Sequence, residues 1–178
     1  MGNLYQRKIL HFTTFFLFFI LIINIIIIKN YKQQLTETTF QLQELLRIHN
    51  ELSVLKNQIE NAPIFEITAY DLSVQSTGKS IMSRGYGITR SGYNLRGQNW
   101  QTTRVIAVDP NIIPLGSVVY IKFIDKQYKK YDGLYMALDT GSRIKGNKID
   151  IFIEDCGNKT SKEAIIFGKT KAKVILVK

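Results

Sequence analysis

Two segments in the last third of the chain carry the residues best suited to chemistry, AVDPNIIPLGS (Ala107–Ser117) and ALDTGSRIKGNKIDIFI (Ala137–Ile153). They place Asp109, Asp139 and Asp150 at the ends or in the middle of β-like runs, in a region without a histidine. Both histidines, His11 and His49, lie far upstream. Zinc hydrolases, Cys-His nucleophiles and Ser-His-Asp relays therefore lose their usual ligand, base or relay. The single cysteine, Cys156, has no neighbouring imidazole to activate it and reads as a structural or surface thiol. No Gly-rich loop ends in Gly-Lys-Ser/Thr, so a phosphate cradle is unsupported. Acid–base chemistry by carboxylates remains, with no metal and no cofactor expected.

The aspartates differ in what surrounds them. Asp109 precedes Pro110 and Asp139 precedes Thr-Gly, so turn formation accounts for either one taken alone. Asp150 interrupts the apolar run Ile149–Ile153, where a carboxylate costs free energy unless it is hydrogen-bonded or lines a cavity. It is the strongest functional candidate of the three. Asp125, Asp132 and Asp155 stand among turn-forming residues and read as solvated, and Asp71 as one of the same kind.

The elements that must hold these carboxylates are short. IFEITAY, TRVIAVD, SVVYIKF, GLYMALD, KIDIFI and KAKVILV are rich in β-branched and aromatic residues and are punctuated by glycine. Thr160 and Glu163 fit a capping box ahead of a helix over Ala164–Phe167, with Gly168 as its stop. Six or more short strands with one late helix predict an all-β domain with a minor helix, a closed or nearly closed barrel. One cysteine excludes an intramolecular disulfide.

Upstream, residues 9–28 (ILHFTTFFLFFILIINIIII) form a 20-residue run without a charge. That is long enough to cross a ~30 Å hydrocarbon core. No small-residue cleavage site follows it, so it reads as an uncleaved signal anchor behind a cytoplasmic tail of residues 1–8. From Tyr31 to Ala62 there is no Gly or Pro, and Leu45, Ile48, Leu52, Leu55 and Ile59 recur at coiled-coil spacing. Residues 29–63 thus read as a helical stalk, able to dimerise and ended by Pro63. Residues 64–178 form the domain, with 18 Lys/Arg against 10 Asp/Glu. That surplus favours an anionic partner. An exported domain leaves no place for nucleic acid.

The matched text AVDP-N-IIPLGS and DTG-SR-IKGNKIDIF resembles the three-aspartate (3D) domain of bacterial cell-wall proteins, a relative of the catalytic region of membrane-bound lytic transglycosylase A. ITAY, STGKS, GYGITRSG and the EAIIFG helix extend the resemblance over Ile64–Lys178. It implies a six-stranded double-psi β-barrel. It also implies lytic cleavage of peptidoglycan between N-acetylmuramic acid and N-acetylglucosamine, giving 1,6-anhydro ends at a Gram-positive wall. On the family pattern Asp150 is the general acid and base and Asp139 and Asp109 support it; Thr140, Gly141 and Lys145, on the connecting loop, are candidates for saccharide contact. The family has Gly-Ala after the Asp-Thr-Gly, where this chain has Ser142 and Arg143, and a cation beside Asp150 would weaken an acid. Two other readings remain. One is a non-catalytic wall-binding module. The other is a dimeric aspartic protease built on Asp139-Thr-Gly, disfavoured because only 39 residues follow Asp139.

Overall fold

The apolar run and the stretch behind it form one helix, α1 (Gly2–Glu60), in a computed structural model that describes residues 2–177. Met1, Lys178 and the side chains of residues 2–7 fall outside this description, and with them most of the expected tail 1–8. By length and composition α1 is a candidate membrane span, the one such helix among the described residues. It ends before Pro63, because proline disfavours the helical conformation of the residue ahead of it.

Contacts divide the chain into two units, the second being Leu55–Lys178. Within it six strands follow the expected segments: β1 (Ile64–Tyr70), β2 (Val105–Val108), β3 (Val118–Phe123), β4 (Gly133–Asp139), β5 (Lys148–Phe152) and β6 (Thr170–Leu176). They close into a barrel in the order β1-β5-β2-β4-β3-β6. The pairs β1/β5 and β2/β4 are parallel and the rest antiparallel. Two short helical pieces were not legible in the sequence. They are α2 (Val74–Thr77) and a 3-10 turn (Lys126–Tyr131) whose first N–H groups are capped by Ser73 and Asp125.

The barrel is filled by alternate residues of every strand. Ile67, Ile106, Val119, Ile121, Ala137, Ile149, Ile151, Ala172 and Val174 all point inward and are buried. At about 1.5–3 kcal/mol per large buried side chain, this cluster is the main favourable contribution to folding. A second apolar cluster covers part of the barrel's outer wall. Tyr70, Val105, Ala107 and Phe152 of the strands pack there under Leu72, Tyr86 and Leu95, which belong to the long connection between β1 and β2.

The final helix, α3 (Lys162–Phe167), corrects the capping assignment by one residue. Its N-cap is Ser161, whose hydroxyl accepts from the Ala164 N–H, and not Thr160. Ser161 also reaches two remote acids: its N–H donates to Asp71 at 2.6 Å and its hydroxyl to Glu154 at 2.5 Å. Glu163 is thereby freed from capping. It accepts from the Trp100 indole N–H, the Tyr131 hydroxyl and Lys130, and so fixes α3 against the barrel.

Candidate active site

Asp150 sits on the outer wall of the barrel. Its neighbours Ile149 and Ile151 point into the interior, while Asp150 and Phe152 take the alternate, outward positions. The carboxylate is therefore not an intrusion into a buried run, as the sequence suggests. It is shielded by what covers the wall, the β1–β2 connection and the β4–β5 loop.

Register places its neighbours. Thr68 of β1 pairs with Asp150, Asp150 pairs with Ala107 of β2, and Ala107 pairs with Asp139 of β4. Four adjacent strands thus contribute Thr68, Asp150, Ala107 and Asp139 to one row on one face. The last step depends on an irregularity. Ile106 pairs with Ala137 but Ala107 pairs with Asp139, so Leu138 is an extra residue opposite β2. Regular pairing would put Asp139 beside Val108 and turn it toward the other face; one added residue reverses that. Ala107, the smallest member, leaves space between the two carboxylates.

Each carboxylate has a distinct set of partners. Asp150 accepts from the Thr68 hydroxyl at 2.7 Å. Asp139 accepts from the Tyr70 hydroxyl at 3.2 Å, the Arg90 N–H at 2.8 Å and its neighbour's Thr140 N–H at 2.9 Å. Burial pushes the Asp150 carboxyl up to about 6, helped by the charges of Asp139 and Asp71 and opposed by the Thr68 hydrogen bond. Burial likewise raises the Tyr70 phenol, with Asp139 adding to the effect, so Tyr70 stays a neutral donor. Asp109 is buried and accepts from Asn111 N–H at 3.1 Å and Gly146 N–H at 2.8 Å. Those backbone donors, chiefly Gly146, hold its carboxyl below the usual range. Asp109 therefore ties the loop after β2 to the loop before β5 and lines neither cavity around Asp150.

Two cavities meet at Asp150. One, of about 250 Å³, also has Tyr70, Ser76, Thr77, Asp139, Thr140, Gly141 and Ser142 in its wall. The other, of about 360 Å³, lies beyond Thr68 and includes Glu66, Arg143, Lys148 and Lys169. Gly141, in the wall of the first cavity, packs tightly on Ile144 in the wall of the second, since a Cβ there would meet Ile144 Cγ1 at 2.7 Å. A Cβ at Gly87, also in the first cavity's wall and at φ +66°, would meet Arg96 Cγ at 2.7 Å and Leu72 Cδ1 at 3.2 Å.

Of the expected saccharide contacts, Thr140 and Gly141 line the first cavity, whereas Lys145 lies beside Asp109 and lines neither. Arg143 is exposed and lines the second cavity, and it is not among the charges that shift Asp150. Thr68, Tyr70, Ser76 and Thr77 escaped the sequence reading as site residues. The polar alternation of Thr68 and Tyr70 in IFEITAY was the signal available. Three other aspartates also need correction. Asp71 is fully buried and accepts from Ser73 N–H, Ser73 Oγ and Ser161 N–H. Asp155 accepts from the Tyr86 hydroxyl and from Gly97 and Gly157. Asp132 accepts from Phe123 N–H and pairs with Lys122. None of the three is a merely solvated turn residue.

Residues 104–178 match the model of the 3D domain family. β1, with Thr68 and Tyr70, lies upstream of that match although the barrel includes it. Over 108 residues the chain is 42% identical to YabE of Bacillus subtilis, which is named for cell wall shaping, covering 57% of this chain and 24% of YabE. Over 84 residues it is 42% identical to the cell wall-binding protein YocH of the same organism, covering 47% of this chain and 26% of YocH. The chain spans about a quarter of the length of these curated relatives. Among solved structures, the lytic transglycosylase LtgG of Burkholderia pseudomallei aligns at 28% identity and a TM-score of 0.39, covering 50% of this chain and 25% of that one. Asp109, Asp139 and Asp150 all lie within residues 104–178, the part of the chain that matches the 3D domain model.

Proposed function

We propose that the barrel is a lytic murein transglycosylase, with Asp150 as its single general acid and base. The observation that carries this reading is Asp150 itself. It is a partly buried carboxyl held near 6 at the meeting point of two cavities, in register with a second carboxylate. A general acid must hold its proton close to working pH, and an ordinary aspartate near ~4 does not. Protonated Asp150 donates to the glycosidic oxygen as the C1–O bond breaks. The C6 hydroxyl of the muramic residue attacks C1 and gives its proton to the carboxylate just formed. A 1,6-anhydro ring closes, Asp150 is regenerated and no water is consumed. An internal nucleophile removes the need for the second working carboxylate of a hydrolase. Asp139 then acts through charge, keeping Asp150 protonated and stabilising positive charge at C1, while Tyr70 holds it in place. Asp109 frames the loop, and Thr140 and Gly141 contact sugar.

The 3D-domain match and the wall-related names of the relatives support a wall glycan as substrate. The two parallel strand pairs support the double-psi arrangement of the barrel. Within the same reading, residues 9–28 anchor the chain in the cell membrane, residues 29–63 form a stalk able to dimerise, and the domain faces the wall. A second reading, wall binding without turnover, is favoured by the name of YocH. Detergent-solubilised full-length chain incubated with peptidoglycan decides between them. Release of 1,6-anhydro-muropeptides, detected by mass and lost in Asp150→Asn, supports the lyase. Wall binding with no product supports the binding module.

A further inference from the structure

The two cavities that meet at Asp150 differ in charge. Hydroxyls dominate the first, where the one lysine, Lys79, donates to Gly85 C=O at 3.2 Å. Three cations surround the second, Arg143, Lys148 and Lys169, against two carboxylates, Glu66 and Asp150 itself. Both lysines lean on the same Glu66 oxygen, at 3.5 and 3.4 Å. Among the described residues Arg143 makes no ion pair. Three positive charges less Glu66 leave a surplus of two while Asp150 is protonated and of one when it is ionised.

The position of this surplus follows from register. Glu66 pairs with Lys148 two residues along the strands from the Thr68–Asp150 pair, on the same face. Two residues of strand are roughly 6.6 Å, so the cations stand beside Asp150 along the same wall. A chain cut at Asp150 therefore presents an adjoining substituent to the cations. Arginine suits a planar carboxylate because its N–H groups bind both oxygens at once.

We propose that Arg143, Lys148 and Lys169 form a carboxylate-binding subsite that seats the acidic peptide branch of the glycan strand beside Asp150. The site thereby selects peptide-bearing, charged glycan over neutral glycan. This deepens the function proposed above and rests on it for the identity of the chain being held. It also gives Arg143 a place that does not oppose Asp150, since the cation meets the branch and not the acid. A phosphate polymer would satisfy the same charges. The glycan branch is favoured because the cleft is continuous with the residue that acts on the glycan.

The test uses full-length chain in detergent and sacculi freed of phosphate polymers, either native or with their carboxylates converted to amides by carbodiimide and ammonia. Binding is read by cosedimentation and turnover by anhydro products. Wild type should bind native sacculi about fivefold more tightly than amidated ones, the scale of one or two partly exposed ion pairs. Arg143→Gln should narrow that gap, and Arg143→Gln with Lys148→Gln and Lys169→Gln should abolish it while binding of amidated sacculi is unchanged. Equal binding of the two substrates by wild type overturns the proposal, as does a gap that survives in the triple variant. A preference seen only before the phosphate polymers are removed also overturns it, in favour of a phosphate-binding face. Absence of anhydro products from native sacculi while the gap persists overturns the lyase and leaves the subsite standing.

Discussion

Replacing Asp150 by asparagine should stop turnover and, at neutral pH, make the barrel harder to unfold. The folded carboxyl is raised from 3.8 to about 6. A raised acid holds its proton more tightly in the folded chain than in the unfolded one. Its stabilising contribution is therefore complete below about pH 3.8 and is lost as pH rises through about 6. At about pH 7.5 the ionised group costs the fold close to 2 units at 1.36 kcal/mol each, about 3 kcal/mol. At pH 5 the same arithmetic leaves roughly 1.6 kcal/mol, and near pH 3 almost nothing. Asparagine keeps an oxygen for the Thr68 hydroxyl but adds an amide N–H₂ whose burial takes back about 1 kcal/mol. The net expectation is a gain of about 2 kcal/mol at about pH 7.5 that fades and reverses toward pH 3. Urea unfolding followed by aromatic circular dichroism across this range measures it, since Trp100 and seven of the nine tyrosines lie in the barrel unit. A variant no more stable than wild type at about pH 7.5, or one stabilised equally at pH 3, would refute the burial argument for Asp150.

Other perturbations move the same group in known directions. Asp139→Asn removes a charge that raises Asp150, so the alkaline limb of the activity profile should move to lower pH. Thr68→Val removes the hydrogen bond that opposes the rise, so the limb should move to higher pH, with activity retained in acid. Limbs that both move the same way would contradict this assignment. Tyr70→Phe leaves Asp139 its two backbone donors and should cost about 1 kcal/mol of stability with a severalfold fall in turnover at unchanged substrate binding. Asp71 is held below the usual carboxylate range. Burial alone would raise it, but donors from Ser73, Ser76 and Ser161 outweigh burial. Its contribution is present above the unfolded value of 3.8 and lost as pH falls through the lowered folded value. Asp71→Ala should therefore destabilise the domain by about 3 kcal/mol at neutral pH without changing the chemical nature of any product.

Periodicity and composition revealed the strands because each presents alternating apolar residues to one interior, a local property of the text. The helix end at Pro63 and the stop at Gly168 were legible for the same reason. What the text hid depends on partners far away. Asp71 reads as a turn residue because its third donor, Ser161, is 90 residues distant. The capping box was misplaced by one residue because Glu163 is held by Trp100 and Tyr131 and not by the helix start. Asp150 was singled out for an incomplete reason. A run of Ile149, Ile151 and Ile153 looks like a buried strand until the alternation assigns Asp150 to the outer wall. The alignment of Asp139 with Asp150 was not legible at all, since it turns on Leu138 being unmatched across β2.

The claim most open to direct contradiction is that cleavage consumes no water. Peptidoglycan digested by the full-length chain in oxygen-18 water, with products read by mass spectrometry, tests it in one experiment. Cleavage by an internal hydroxyl nucleophile sheds roughly one water relative to hydrolysis, so 1,6-anhydro ends about 18 mass units lighter than reducing ends and free of oxygen-18 are expected. New reducing ends formed in place of anhydro ends, beyond those of an enzyme-free control, would show that water is the nucleophile and that a second carboxylate, with Asp139 the first to examine, acts in the reaction alongside Asp150.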